Sequence, residues 1–232
     1  MLSSEQLAQF QRDGYLAVQD FFNPAQLKKR VDGLLEEYVP TEHTETRFTS
    51  DDDNHVGNDY FLSSGDQIRY FLEPGASVDT DPSKTINKIG HGLHYKDKLF
   101  RAFTTQPKLA EVARQLGFRA PHILQSMVIC KQPGIGAPVP AHVDSTFLYT
   151  DPPSAIGFWY VHTNMLTIRF ALEDATLENG CMHFCPGSHT LPLRKRFVRD
   201  KKSKEGTCMR YINEGVREPL DSEYVLTLLL HF

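Results

Sequence analysis

The chain has 232 residues, with 29 acidic against 25 basic side chains and a net charge of -4. That balance excludes nucleic-acid binding through a broadly basic face, and the length suits one domain with a full core. Apolar stretches such as Val225–Leu230 are far too short to span a bilayer. The polar start, Met1-Leu2-Ser3-Ser4-Glu5-Gln6, lacks the basic-then-apolar pattern of a secretion signal, and Leu230-His231-Phe232 is not a peroxisomal tripeptide. A cytoplasmic, monomeric protein without membrane contact is therefore expected. Cys130, Cys181, Cys185 and Cys208 have no second Cys or His pair at zinc-finger spacing, so reduced thiols are expected.

In chain order, Ser3-Ser4-Glu5-Gln6 reads as a capping box opening a helix with Leu7 and Phe10 on its apolar face, ended by Gly14. Tyr15–Val18 reads as a short strand. Asn23-Pro24 opens a second helix carrying Leu27, Val31, Leu34, Leu35 and Tyr38. Pro40–Asn58 is polar, with the acidic run Asp51–Asp53, and reads as a mobile, solvated loop. Tyr60-Phe61-Leu62 and Ile68–Leu72 read as strands around a Ser-Ser-Gly-Asp turn, and Pro74–Pro82 as a turn-rich loop. Gln106-Pro107 opens a helix with Leu109, Val112, Ala113 and Leu116, ended by Gly117. Ile123–Cys130 reads as a strand, Pro133–Pro140 as a loop, and the segment carrying His142 as another strand. Glu178-Asn179-Gly180 is a hairpin turn. Arg194–Lys204 reads as a basic, exposed loop. Helices first and short strands after imply an α+β fold around an antiparallel barrel or sandwich.

The chemistry concentrates at His142-Val143-Asp144. On a strand, residues two apart face the same way, which brings an imidazole beside a carboxylate. That is two-thirds of the two-histidine, one-carboxylate facial triad of non-haem Fe(II) sites. With ten histidines in the chain, an isolated His-x-Asp is close to chance, and a structural histidine explains it equally well.

The surroundings make it specific. The chain resembles the phytanoyl-CoA dioxygenase family at Leu7–Phe22 and at Asp59-Tyr60-Phe61-Leu62-Ser63-Ser64-Gly65-Asp66. The likeness continues at Ile86-Asn87-Lys88-Ile89-Gly90-His91 and Gln125-Ser126-Met127. It is strongest at His142-x-Asp144-x-x-Phe147-Leu148-Tyr149-Thr150 and at Leu172–Gly180, followed by Pro186-Gly187-Ser188-His189. The resemblance implies one 2-oxoglutarate/Fe(II) dioxygenase-like domain over 1–232, with a double-stranded β-helix (jelly-roll or cupin-like) core flanked by N-terminal helices. It implies Fe(II) on His142 and Asp144, 2-oxoglutarate as co-substrate with O2, and release of succinate and CO2 as a small lipid-like or acyl substrate is hydroxylated. By the same resemblance Lys88, Met127 and Trp159 would contact 2-oxoglutarate as a cation, a soft apolar wall and a flat indole donor. Taken as residues alone, they read equally well as a surface lysine, a core methionine and a core anchor. His189, in the Pro-Gly-Ser-His turn, reads as structural.

Two stretches depart from the family's pattern. About ten extra residues, 160–169, follow Trp159, so that a new strand Met165–Leu172 would replace the original or the insert would loop out. After Glu223-Tyr224-Val225 the family has further strands, a distal histidine and an arginine that clamps 2-oxoglutarate, where this chain has residues 226–232. His162 would be at most an accidental ligand, since inserted residues rarely land in metal geometry, His231 lacks the family's surrounding residues, and Arg217 lies too early to be the clamp. A truncated or alternatively spliced form, without its third iron ligand and closing strands, is therefore expected. Its alternative functions are a catalytically incomplete binding or regulatory protein, or a cupin-like metal protein with other chemistry.

Overall fold

The structure is a computed structural model. It describes residues 1–18, 21–23, 25–39, 46–49, 57–77, 81, 84–159, 180–203, 206–217, 219–220 and 223–226. The acidic run at 51–53, the insert at 160–169, the proposed strand 165–172, Glu178-Asn179 and residues 227–232, with His162 and His231, lie outside the described residues.

The N-terminal helices follow their local signals. Helix α1 (Ser4–Asp13) has a complete capping box between Ser3 and Gln6 and ends at Gly14, whose φ is 82°. A side chain at Gly14 would run into the His189 ring. Helix α2 (Ala25–Glu36) starts where Asn23 Oδ1 accepts from the Ala25 amide at 3.0 Å. It buries Leu27, Val31 and Leu34, the face its apolar spacing marks. Between the two helices, Tyr15–Val18 is not a strand but irregular chain. No neighbouring strand pairs with it among the described residues, and the Tyr15 ring stacks on Phe184 at 4.6 Å instead.

A second correction concerns Tyr60-Phe61-Leu62, which belongs to a one-turn helix, α3 (Asp59–Leu62). Asn58 Oδ1 accepts from the Phe61 amide at 2.9 Å, so a capping asparagine overrides the β preference of the aromatic pair. Strand β1 (Ile68–Leu72) pairs antiparallel with β2 (Ile86–His91), which pairs antiparallel with β3 (Ser126–Ile129). The strand expected over Ile123–Cys130 is thus confined to its middle. Part of the segment read as a mobile loop, 46–49, is docked on this sheet: Phe48 N donates to Leu72 O at 2.8 Å and Leu72 N to Thr46 O at 3.1 Å.

Alternation gives this sheet two unlike faces. Tyr70, Leu72, Ile86, Ile89, Val128 and Cys130 pack with Leu27, Val31, Leu34 and Tyr38 in the main core. Phe71, Glu73, Lys88, Met127, Ile129 and Lys131 alternate with them. A register irregularity between Phe71 and Leu72 lets Ile86 join the core beside Ile89. Two polar contacts tie helices to the sheet and to each other. Tyr70 Oη donates to Leu34 O at 2.6 Å, and Arg30 of α2 pairs at 2.6 Å with Asp97. Asp97 also caps α5 (Lys98–Thr104), which follows the short α4 (Leu93–Lys96). Helix α6 (Pro107–Gln115) has the expected Pro start.

Beyond β3 the chain forms small antiparallel pairs. β4 (His183–Phe184) pairs with β7 (Val225–Leu226), and β5 (Lys195–Arg199) with β6 (Thr207–Tyr211). The first half of the basic stretch read as an exposed loop is therefore a strand. Its charges are accommodated by stacking, with the Arg196 guanidinium 3.6 Å above the Tyr149 ring and that of Arg194 5.2 Å from the Tyr211 ring. The described architecture is mixed α+β with small antiparallel sheets. All four cysteines are free thiols. Among the described residues, no helix is long and apolar enough to cross a membrane.

Candidate metal and co-substrate site

His142 and Asp144 meet, though not on a strand. Residues 141–143 are irregular, and Asp144–Thr146 form a single 3-10 turn. Val143 keeps extended angles, φ -107° and ψ 144°, so the two-residue same-side rule still holds locally. His142 Nε2 lies 3.7 Å from Asp144 Oδ1. His142 Nδ1 lies 2.8 Å from the Pro140 carbonyl. A carbonyl only accepts, so Nδ1 carries the proton and Nε2 presents its lone pair beside the carboxylate. This is how a metal-binding imidazole is oriented by an outer partner.

The pair fits a divalent ion. Neighbouring donors each about 2.1 Å from one ion stand roughly 3.0 to 3.4 Å apart in octahedral or tetrahedral geometry, so the 3.7 Å separation needs only a small side-chain rotation to close on an ion. Both side chains are part-exposed, which leaves room for further ligands. Among the described residues no group of three His, Cys, Asp or Glu side chains converges as a metal site.

Four other described histidines, His189 of the Pro-Gly-Ser-His turn among them, have partners of their own. His189 Nε2 lies 3.1 Å from Gln11 O, and the Gly187 amide donates to Asp13 O at 2.9 Å, so this turn clamps the end of α1. His91 is buried with Nδ1 2.7 Å from Ser64 Oγ. Burial, with Lys88 nearby, pulls its pKa down to about 4 and keeps it neutral. His94 Nδ1 lies 2.8 Å from Ser126 Oγ. His183 Nε2 lies 3.9 Å from Cys181 Sγ.

Lys88 and Met127 lie on the sheet face turned away from the main core. Met127 is opposite Gly90, where an added Cβ would stand 3.0 Å from the methionine Cβ. Lys88 is buried, with its ammonium 3.2 Å above the centre of the Phe48 ring. No carboxylate among the described residues lies at ion-pair distance from it. Burial pulls its pKa down to about 7, against the pull of Glu73 upward. Trp159 is about half exposed, not a core anchor. It reaches Asp144 across Gly157: a Cβ there would lie 2.9 Å from the indole Nε1 and 2.7 Å from Asp144 Oδ2. A side chain at Gly157 would therefore displace the Asp144 carboxylate or the Trp159 indole.

An aromatic chain joins the two halves. His142 contacts Phe147 at 5.3 Å between ring centres, Phe147 contacts Phe197 of β5 at 5.8 Å, and Phe197 contacts Phe61 at 6.3 Å. Phe61 continues to Phe48 at 5.9 Å, the ring beneath Lys88. These spacings are ordinary for packed rings. They give the region an apolar wall from the His-Asp pair to the buried ammonium. Sequence reasoning did not find this wall, because its members come from distant segments. It also missed Glu73, whose place before Pro74-Gly75 reads as a solvated turn.

Comparison with known proteins identifies the family. The family model described as phytanoyl-CoA dioxygenase (PhyH) matches residues 10–224. The chain is 42% identical over 211 residues to phytanoyl-CoA dioxygenase domain-containing protein 1 of Rattus norvegicus, covering 85% of this chain and 69% of that protein. The homologue of that protein in Caenorhabditis elegans is 39% identical over 225 residues, covering 91% of this chain and 74% of its own. A phytanoyl-CoA dioxygenase of Arabidopsis thaliana is 39% identical over 206 residues, covering 85% and 69%. Proteins of this kind are 2-oxoglutarate-dependent dioxygenases that typically use Fe(II). A match over nearly the whole chain, together with this identity to several full proteins, places the chain in the phytanoyl-CoA dioxygenase family.

Proposed function

We propose that the chain is an Fe(II)- and 2-oxoglutarate-dependent dioxygenase that hydroxylates a small lipid-like or acyl substrate. It would act as one dioxygenase-like domain on a double-stranded β-helix core. The observation that carries this reading is the His142–Asp144 pair, whose imidazole proton is committed to the Pro140 carbonyl. His142 and Asp144 would hold the iron. When bound, iron would supply the oxidising chemistry with O2 as oxidant and 2-oxoglutarate as co-substrate, one oxygen atom ending in succinate and the other in the substrate hydroxyl as CO2 is released.

The chain's own residues bind, orient and dry the site. Lys88 offers a buried cation to a dicarboxylate, and its charge is favoured by a partner anion that would replace lost hydration. Met127 and the aromatic wall limit water around that cation. The Trp159 indole N–H lies next to Asp144 across Gly157 and can donate to an oxygen bound there. Gly157 keeps that approach open.

A direct test is the affinity of the Fe(II)-loaded protein for 2-oxoglutarate, measured by anaerobic calorimetry. Lys88→Ala should weaken it about 10- to 100-fold, the range expected for losing one charge-assisted contact. Binding by the unaltered protein should also weaken as pH rises through about 7, because the lysine then loses its proton. Equal affinity in both proteins at neutral pH would remove Lys88 from the site.

A further inference from the structure

Glu73 is the most deeply buried charged side chain on the sheet face that carries Lys88, with no exposed surface. A carboxylate in that position is costly unless paired and hydrogen-bonded. Its Oε2 accepts from the Ala137 amide at 3.0 Å, while its Oε1 has no hydrogen-bond partner among the described residues. What faces it is positive. Lys88 on β2 and Lys131 beyond β3 share its face by alternation, and both feel its charge. Lys131 in turn donates to the carbonyl of the same residue, Ala137, at 3.1 Å.

Ala137 is thus held at both its N–H and its C=O, from opposite edges of one sheet face. It begins the run Ala137-Pro138-Val139-Pro140-Ala141-His142. Two prolines fix their own φ and keep the residues before them extended, so this run has little freedom. Its far end is the Pro140 carbonyl that orients His142. Upstream, Gly136 N donates to Gln132 O at 2.8 Å, and Gln132 Nε2 to Ile86 O at 3.1 Å, which fixes the loop's start to β2.

We infer that Glu73 is a positioning residue for both halves of the site: through Ala137 it fixes the stiff segment that presents His142, and on the same sheet face it stands as a counter-charge to Lys88 from beyond ion-pair distance. Only the functional consequence rests on the reading of Lys88 as the 2-oxoglutarate contact. The groups facing Lys88 are Glu73, which favours its charged form, Lys131 and His91 together with burial, which do not or are neutral, and the Phe48 ring. Removing the Glu73 charge therefore moves the lysine's titration to lower pH.

Two variants separate the roles. Glu73→Gln keeps an acceptor for the Ala137 amide and removes the charge, whereas Glu73→Ala removes both. Without iron or 2-oxoglutarate present, NMR of the Lys88 side-chain carbon next to nitrogen should titrate lower by roughly one pH unit in Glu73→Gln than in the unaltered protein. Amide hydrogen exchange at Ala137 should stay protected in Glu73→Gln and become about tenfold faster in Glu73→Ala. An unchanged Lys88 midpoint in Glu73→Gln, or unchanged Ala137 protection in Glu73→Ala, would overturn the assignment. If both effects appear and the protein still fails to bind 2-oxoglutarate, the coupling stands and the function proposed for Lys88 does not.

Discussion

Replacing His142 with alanine should abolish Fe(II) retention, with affinity falling at least about 100-fold. The imidazole is one of two donors that the described residues bring together, and its partner carboxylate alone is a poor site for a divalent ion. Asp144→Ala should have the same result for the same reason. His189→Ala should leave iron content unchanged, because that ring is engaged by the Gln11 carbonyl at the end of α1. Anaerobic dialysis against Fe(II), followed by metal analysis, reads all three. Undiminished iron in His142→Ala would refute the assignment, and loss in His189→Ala alone would move the site.

The largest effect on stability is expected at Phe71. Its ring is fully buried, and it contacts Phe48, Tyr60, Phe61 and His91 at 5.4–6.2 Å between ring centres. It lies on the sheet face opposite the main core, so it is the anchor of the second, aromatic cluster. Phe71→Ala should cost about 3–5 kcal/mol through lost transfer energy and the cavity left behind. For a chain of this size that lowers the melting temperature by roughly 6–20 °C. Phe71→Leu, which keeps most of the volume, should cost much less. A melting temperature within about 1 °C of the unaltered protein would mean that this cluster does not support the fold.

Local signals were legible in the sequence. The Ser3–Gln6 capping box, the Gly14 stop, the apolar face of α2 and the strand Ile68–Leu72 all stand where spacing and caps put them. The failures share a physical cause, which is that non-local partners decide. Tyr15–Val18 has strand-forming residues but no neighbouring strand in the described structure. Lys195–Arg199 looks like a solvated loop until Thr207–Tyr211 pairs with it and the Tyr149 ring stacks on Arg196. The segment at His142 was read as a strand, and only Val143 had to be extended for the pair to form.

The site divides the same way. His142, Asp144, Lys88, Met127 and Trp159 could be named because a family resemblance supplied them. The aromatic wall could not, since its members come from segments far apart in the sequence, nor could the buried Glu73, which shares a face with Lys88 only once β1, β2 and β3 set alternating residues side by side. That face also shows why a lysine can be buried here. Its ammonium stacks on the Phe48 ring and the Glu73 carboxylate favours its charge, while burial and Lys131 oppose it and bring its pKa down to about 7.

The most direct measurement is release of labelled CO2 from 2-oxoglutarate carrying its label in the carboxyl group beside the ketone. The protein is purified anaerobically, loaded with Fe(II) and then exposed to oxygen. The expected result is CO2 and succinate in equal amounts over many turnovers, dependent on Fe(II) and absent in His142→Ala. Iron bound without any dependence on 2-oxoglutarate would contradict the dioxygenase reading in favour of other metal chemistry. Neither iron retention nor CO2 release would contradict it in favour of a catalytically incomplete member of the family.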